Sequence, residues 1–172
     1  MVNSRIQLTL FVAGPVAERI EAYRASLDPV QSRLIPAHVT LCREDELDGL
    51  SVAVLQERLS KPQARPLTLA FGAPEPFSTH GILLPCISGD DEFHALRQLA
   101  LGSVPARRPS PHLTLAHPRN PRAEGNDLAA VASLRDGLTI RFESVCRIRQ
   151  EGMSPWRVTE RFGLLGGEGS GP

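Results

Sequence analysis

A short pattern occurs twice in this chain, as Pro36-Ala37-His38-Val39-Thr40-Leu41 and as Ser110-Pro111-His112-Leu113-Thr114-Leu115. Each copy reads His-x-Thr-Leu with a proline shortly upstream. In a strand, side chains two residues apart point to the same face, so each copy presents one imidazole beside one hydroxyl. The second histidine lies 74 residues after the first. Such a repeat constrains the fold more than either copy alone: it predicts an internal duplication that places two imidazoles and two hydroxyls around one pocket. That is equipment for acid–base chemistry on an oxyanion. Two unrelated buried histidines are the alternative, and the recurrence of both Thr and Leu weighs against it.

Hydrophobic periodicity places the motifs in a longer order of elements. Ile6, Leu8, Leu10 and Val12 alternate with Gln7 and Thr9, which predicts a first strand. Gly14-Pro15 then opens a helix carrying Val16, Ile20, Tyr23 and Leu27, and Asp28-Pro29 ends it. The first motif strand follows over 37–42, then a helix from Leu50 to Leu59, and strands over 66–77 and 81–88. Asp90 to Leu101 reads as a helix with acidic residues in its first turn, where the dipole favours them. The second motif strand spans 112–117, a short helix 126–134, and strands 138–149 and 155–165 close the chain. The expectation is one two-lobed α+β domain over residues 1–165, with two antiparallel sheets flanked by helices in a pseudo-twofold arrangement around a central cleft. The glycine-rich tail over 166–172 is expected to be disordered.

Composition narrows the function classes. The formal net charge is zero, with 22% charged and 41% hydrophobic residues, so nothing global favours wrapping a long nucleic acid and any anion site is local. Cys42, Cys86 and Cys146 are odd in number and contain no C-x-x-C pair, which argues against a disulfide framework and a thiolate zinc site. Reduced thiols fit a cytoplasmic protein. The alternation in residues 5–13 is a strand period and not a signal sequence, and no stretch approaches the ~20 apolar residues that span a bilayer. The chain reads as soluble, with no membrane partner and no feature that demands more than a monomer.

Phosphodiester cleavage needs a base for the attacking oxygen, an acid for the leaving oxygen and donors for the non-bridging oxygens. Histidine, with a reference pKa of about 6.5, can hold either protonation state near neutral pH, so two of them supply the first two without a metal, and Thr40 and Thr114 supply donors. Metal ligation by His38, His112, His117 and Cys42 is the competing chemistry. Against it, His112 and His117 are five apart, hence on opposite faces of a regular strand, and neither motif core holds Asp or Glu. Cys42 falls on the His38 face by the same parity, yet its counterpart in the second copy is Ala116, so the repeat does not preserve a thiol.

The doubled His-Val-Thr-Leu and His-Leu-Thr-Leu, in a chain of this length and element order, resemble the two-histidine phosphoesterase superfamily, which includes RNA 2′,3′-cyclic phosphodiesterases also called 2′-5′ RNA ligases. The resemblance covers roughly residues 5–165. It implies a bilobal fold with the motifs facing across a cleft, and metal-independent, cofactor-free hydrolysis of a 2′,3′-cyclic phosphate on an RNA end or a small cyclic nucleotide, usually leaving a 2′-phosphate. By that analogy His38 and His112 are the catalytic pair, Thr40 and Thr114 contact phosphate, His112 is the base that activates water and His38 the acid. A non-catalytic nucleotide-binding module, or ligation in the reverse direction, are the alternative readings.

Around the motifs the candidates are fewer. Trp156, Tyr23 and Phe77 are possible platforms for a base, and Arg43, Arg119 and Arg157 possible phosphate contacts. The run Glu44-Asp45-Glu46 departs from the family pattern and would repel a long polyanion if it lined the cleft, or else is simply solvated.

Overall fold

A computed structural model describes residues 4–102, 107–118 and 128–165. The chain begins with β1 (Ser4–Phe11), α1 (Pro15–Leu27) and α2 (Pro29–Leu34), followed by the first motif strand, β2 (His38–Cys42). A 3₁₀ turn at Glu44–Glu46 leads to α3 (Val52–Leu59) and then to β3 (Leu67–Phe71), β4 (Glu75–Phe77) and β5 (Gly81–Ser88). After α4 (Asp90–Leu101) come the second motif strand β6 (His112–Ala116), a kinked 3₁₀ segment at Leu128–Leu134, β7 (Leu138–Phe142), β8 (Ser144–Glu151) and β9 (Arg157–Gly163).

Two antiparallel sheets result. The first has the order β2-β1-β8-β9, and in the second β5 pairs with β3, β4 and β6 while β3 also pairs with β7. Because β4 and β6 pair with overlapping stretches of β5, they occupy its opposite edges. Each motif strand is thus the last strand of its sheet, and β2 packs against β6. One hydrophobic cluster runs through both sheets, from Leu8, Leu10, Val39 and Leu41 to Leu69, Phe71, Ile82, Leu84, Leu113 and Leu115. Each fully buried leucine stabilises by about 1.5–3 kcal/mol relative to an exposed one.

Three local features differ from the expected elements. Asp28 ends α1 and at once caps α2, accepting a hydrogen bond from the Gln31 amide at 3.2 Å, with Pro29 at a position that needs no amide hydrogen. The stretch expected as one strand over 138–149 breaks at exposed Glu143, so that β7 joins the second sheet and β8 the first. The lobes are therefore not the two halves of the chain: the last two strands return to complete the first sheet. The segment 66–77 likewise divides, at Gly72 to Pro74, into β3 and β4.

The glycine-rich tail at 166–172 and the candidate Arg119 lie outside the described residues. Among the described residues no helix is long and apolar enough to cross a membrane.

Candidate active site

The two motif strands are built alike beyond their sequence. Their burial follows the same order along the strand: histidine and threonine half-buried, the intervening Val39 or Leu113 buried, then two buried residues in succession. The doubled burial at the end marks a bulge. In the first sheet Leu8 faces Cys42 while Thr9 faces Thr40; in the second Ile82 faces Ala116 while Leu83 faces Thr114. Leu41 and Leu115 are the extra residues in each strand, and a bulge inverts the alternation beyond it.

That inversion corrects two expectations. Cys42 does not share the face of His38 and Thr40: it is fully buried, as is Ala116. Burial pushes the Cys42 thiol up to about 12, with Arg97 working weakly the other way, so it stays protonated at neutral pH. His117, placed on the far face by regular parity, instead lines the same cleft as His112. Its backbone amide donates to the buried Asp28 carboxylate at 2.9 Å. Among the described residues no group of three or more His, Cys, Asp or Glu is placed to hold a metal ion.

The prolines set the approach to each histidine. Ile35, before Pro36, is held extended, as a residue preceding proline is. Each imidazole folds back on its own approach: His38 Nδ1 donates to the Pro36 carbonyl at 2.7 Å, and His112 Nδ1 to the Ser110 carbonyl at 3.0 Å. A carbonyl only accepts, so in the neutral ring Nδ1 carries the hydrogen and Nε2 keeps its lone pair. Aromatic edges brace both rings, Phe11 at 6.2 Å from His38 and Phe77 at 5.3 Å from His112 between centroids.

His38, Thr40, His112 and Thr114 line one cleft of about 350 Å³. Phe77, Trp156 and Arg43 line it too, while Tyr23 and Arg157 do not. Tyr23 packs on the core and its hydroxyl bonds Ser133. Arg157 pairs in register with Arg149, which faces Ile6 on the side of the sheet away from His38. The cleft also gathers residues that the motifs do not announce, among them Arg5, Gln7 and Arg24. A signal existed for each. Arg5 and Gln7 share the polar face of β1 with Thr9, and Arg24 sits four residues after buried Ile20, a charge inside an apolar helix stripe.

Arg24 is only 4% exposed, with its guanidinium held by Glu21 at 2.8 and 3.0 Å and by the Ile35 carbonyl at 2.8 Å. Among the charges that act on the first histidine, its repulsion is the largest. Burial lowers the His38 imidazole to about 4; the Pro36 carbonyl opposes this, while Arg24 and His112 add repulsion. His38 is thus neutral at neutral pH, and an anion between the rings would offset the repulsion and favour its charged form.

The acidic run after the first motif is neither a cleft-wide barrier nor simply solvated. Glu46 pairs with Arg97, a guanidinium 1% exposed on α4, which also donates to the Arg107 carbonyl. Asp45 pairs with Arg107 at 3.0 Å. The segment leaving one motif is therefore tied to the segment entering the other.

Solved structures share this architecture. The fold matches crystal structures of E. coli LigT complexed with phosphate (15% identity, TM-score 0.54, covering 96% of this chain and 99% of that one) and with 3′-AMP (16%, 0.57, 94% and 98%). It also matches a crystal structure described as a phosphoesterase (15%, 0.56, 95% and 99%). No curated protein is a significant sequence match. The family model of the 2′-5′ RNA ligase superfamily matches residues 12–153, a span that holds both motifs, and the chain belongs to that superfamily of two-histidine phosphoesterases.

Proposed function

We propose that this member of a family of enzymes acting on phosphodiester bonds hydrolyses 2′,3′-cyclic phosphates, on RNA ends or small cyclic nucleotides, by metal-independent catalysis with His38 and His112. The observation that carries this reading is the mirrored tautomer: two imidazoles, each with Nδ1 committed to its own approach, leave two Nε2 atoms for one cleft. The crystallised LigT complexes with phosphate and 3′-AMP support a nucleotide phosphate as the ligand class.

In this mechanism His112 Nε2 takes a proton from water as the water oxygen attacks phosphorus. The bond from phosphorus to O3′ breaks, and His38 Nε2–H delivers its proton to the leaving oxygen, giving a 2′-phosphate and a 3′-hydroxyl. Thr40 and Thr114 donate to the non-bridging oxygens. Because burial disfavours the charged form of His38, its proton is acquired as the anionic phosphate enters. The same residues serve ligation when the step runs backwards.

The test is hydrolysis of 2′,3′-cyclic AMP by purified protein in EDTA, followed by phosphorus NMR. His38→Ala and His112→Ala are each expected to lose about 10²–10⁴-fold in rate. Full activity in either variant overturns the assignment, a strict metal requirement overturns the mechanism, and tight binding without product favours a non-catalytic module.

A further inference from the structure

The face of the first sheet that carries His38 does not end at the cleft. Facing pairs trace it outward: His38 opposite Phe11, then Thr9 opposite Cys146, then Cys146 opposite Arg161. Along this face lies a second hollow of about 570 Å³, within the ~300–1,000 Å³ range of small-molecule sites. Phe11 and Trp156 form the ridge between them: Trp156 lines both hollows, and Phe11 touches the His38 ring edge-on while lining the second.

The two hollows differ in chemistry. The cleft is crowded with hydrogen-bonding groups, whereas the second is walled by Val12, Ala13, Pro36 and Val158, the last 47% exposed. Its charges are few. Arg141 is paired with Glu143 at 3.3 Å, whereas Arg161 donates to the Ser144 hydroxyl at 3.1 Å and has no ion pair among the described residues, leaving one net positive charge at the far end. An apolar wall ending in an unneutralised arginine suits a base and ribose followed by a phosphate. The ridge is fixed for such a role, since the Trp156 amide donates to the Leu34 carbonyl at 2.8 Å and the Arg5 guanidinium sits 5.3 Å from the ring centroid. From β2 to β9 is three strand spacings, about 14 Å, a distance that a mononucleotide in the cleft leaves empty and an extended chain crosses.

We propose that this groove binds the nucleotide preceding the one whose phosphate occupies the cleft, so that an RNA 3′ end of at least two nucleotides is preferred over a free cyclic nucleotide. The inference rests on the catalytic reading for what the cleft holds, but its test needs no turnover. Trp156 is the chain's one tryptophan, and its fluorescence reports on the ridge. Titration of the full chain with 2′-AMP and with a 5′-phosphorylated ApA dinucleotide bearing a 2′-phosphate is expected to show about ten-fold tighter binding of the dinucleotide.

Arg161→Glu and Val158→Asp, both at exposed side chains, are each expected to reduce that advantage to less than about two-fold while 2′-AMP binds as before. Equal affinities in the unaltered protein, no dinucleotide binding, or an advantage that survives both variants overturns the proposal. Dinucleotide preference without hydrolysis of any cyclic phosphate keeps the groove and removes the catalytic reading. Turnover of cyclic AMP without a dinucleotide advantage does the reverse.

Discussion

The two motif strands match in sequence, burial, bulge position and imidazole tautomer, and differ in what stands behind them. Behind His38 lies the corner between α1 and α2, where a buried guanidinium is fixed by Glu21 and the Ile35 carbonyl. Behind His112 lies an exposed approach, residues 107–110, held by the exposed carboxylates of Asp45 and Asp91 and by the buried Arg97. Repetition thus reproduced the reactive groups, while their surroundings diverged. Burial, with Arg24 adding repulsion, holds the His38 imidazole well below its usual range, an asymmetry of surroundings that the repeated motif does not announce.

The largest way to break this comparison is to cut the tie between its halves. Arg97→Met leaves Glu46 without its buried partner, and such a loss costs about 3–5 kcal/mol; a fall in the denaturant midpoint at unchanged slope is the expected result. Stability within about 0.5 kcal/mol of the parent would mean that the link between motifs carries nothing.

A second test addresses the asymmetry itself. With His38 held at about 4 in the folded chain and near 6.5 in the unfolded one, the unfolded state binds the extra proton between those values. Its contribution to stability is therefore present above pH 6.5 and is lost as pH falls towards 4. His38→Gln is expected to lose less stability than the parent between pH 7 and pH 4.5, and parallel losses would show that the first histidine is not so perturbed. The smallest effect belongs to the surface: Asp45→Asn breaks an exposed pair with Arg107 and is expected to cost no more than about 1 kcal/mol by thermal denaturation.

Much of this organisation was legible in the chain. Periodicity located α1, α3, α4 and most strands but not α2, and the repeat located the histidines and threonines, because both signals are local. What escaped it depends on pairing. A bulge is a relation between two strands, so nothing within His-Val-Thr-Leu-Cys says that Leu41 is the extra residue, and parity arguments about Cys42 and His117 failed for that reason alone. The break at Glu143 is similar: a continuous strand pattern cannot show that its two parts belong to different sheets. Tyr23 and Arg157 were plausible by type but lie elsewhere, whereas Arg5 reaches the cleft because β1 is the neighbour of β2.

The paired bulges have one more consequence. β2 and β6 are terminal strands lying against each other, and terminal strands with regular edges tend to join. If they did, the two sheets would fuse into one continuous ladder and the space between the histidines would be filled by backbone. A bulge at Leu41 and another at Leu115, each in a strand entered through a proline that has no amide to offer, make these edges poor partners. The cleft between the two histidines is kept open by two strands shaped so that they do not zip together.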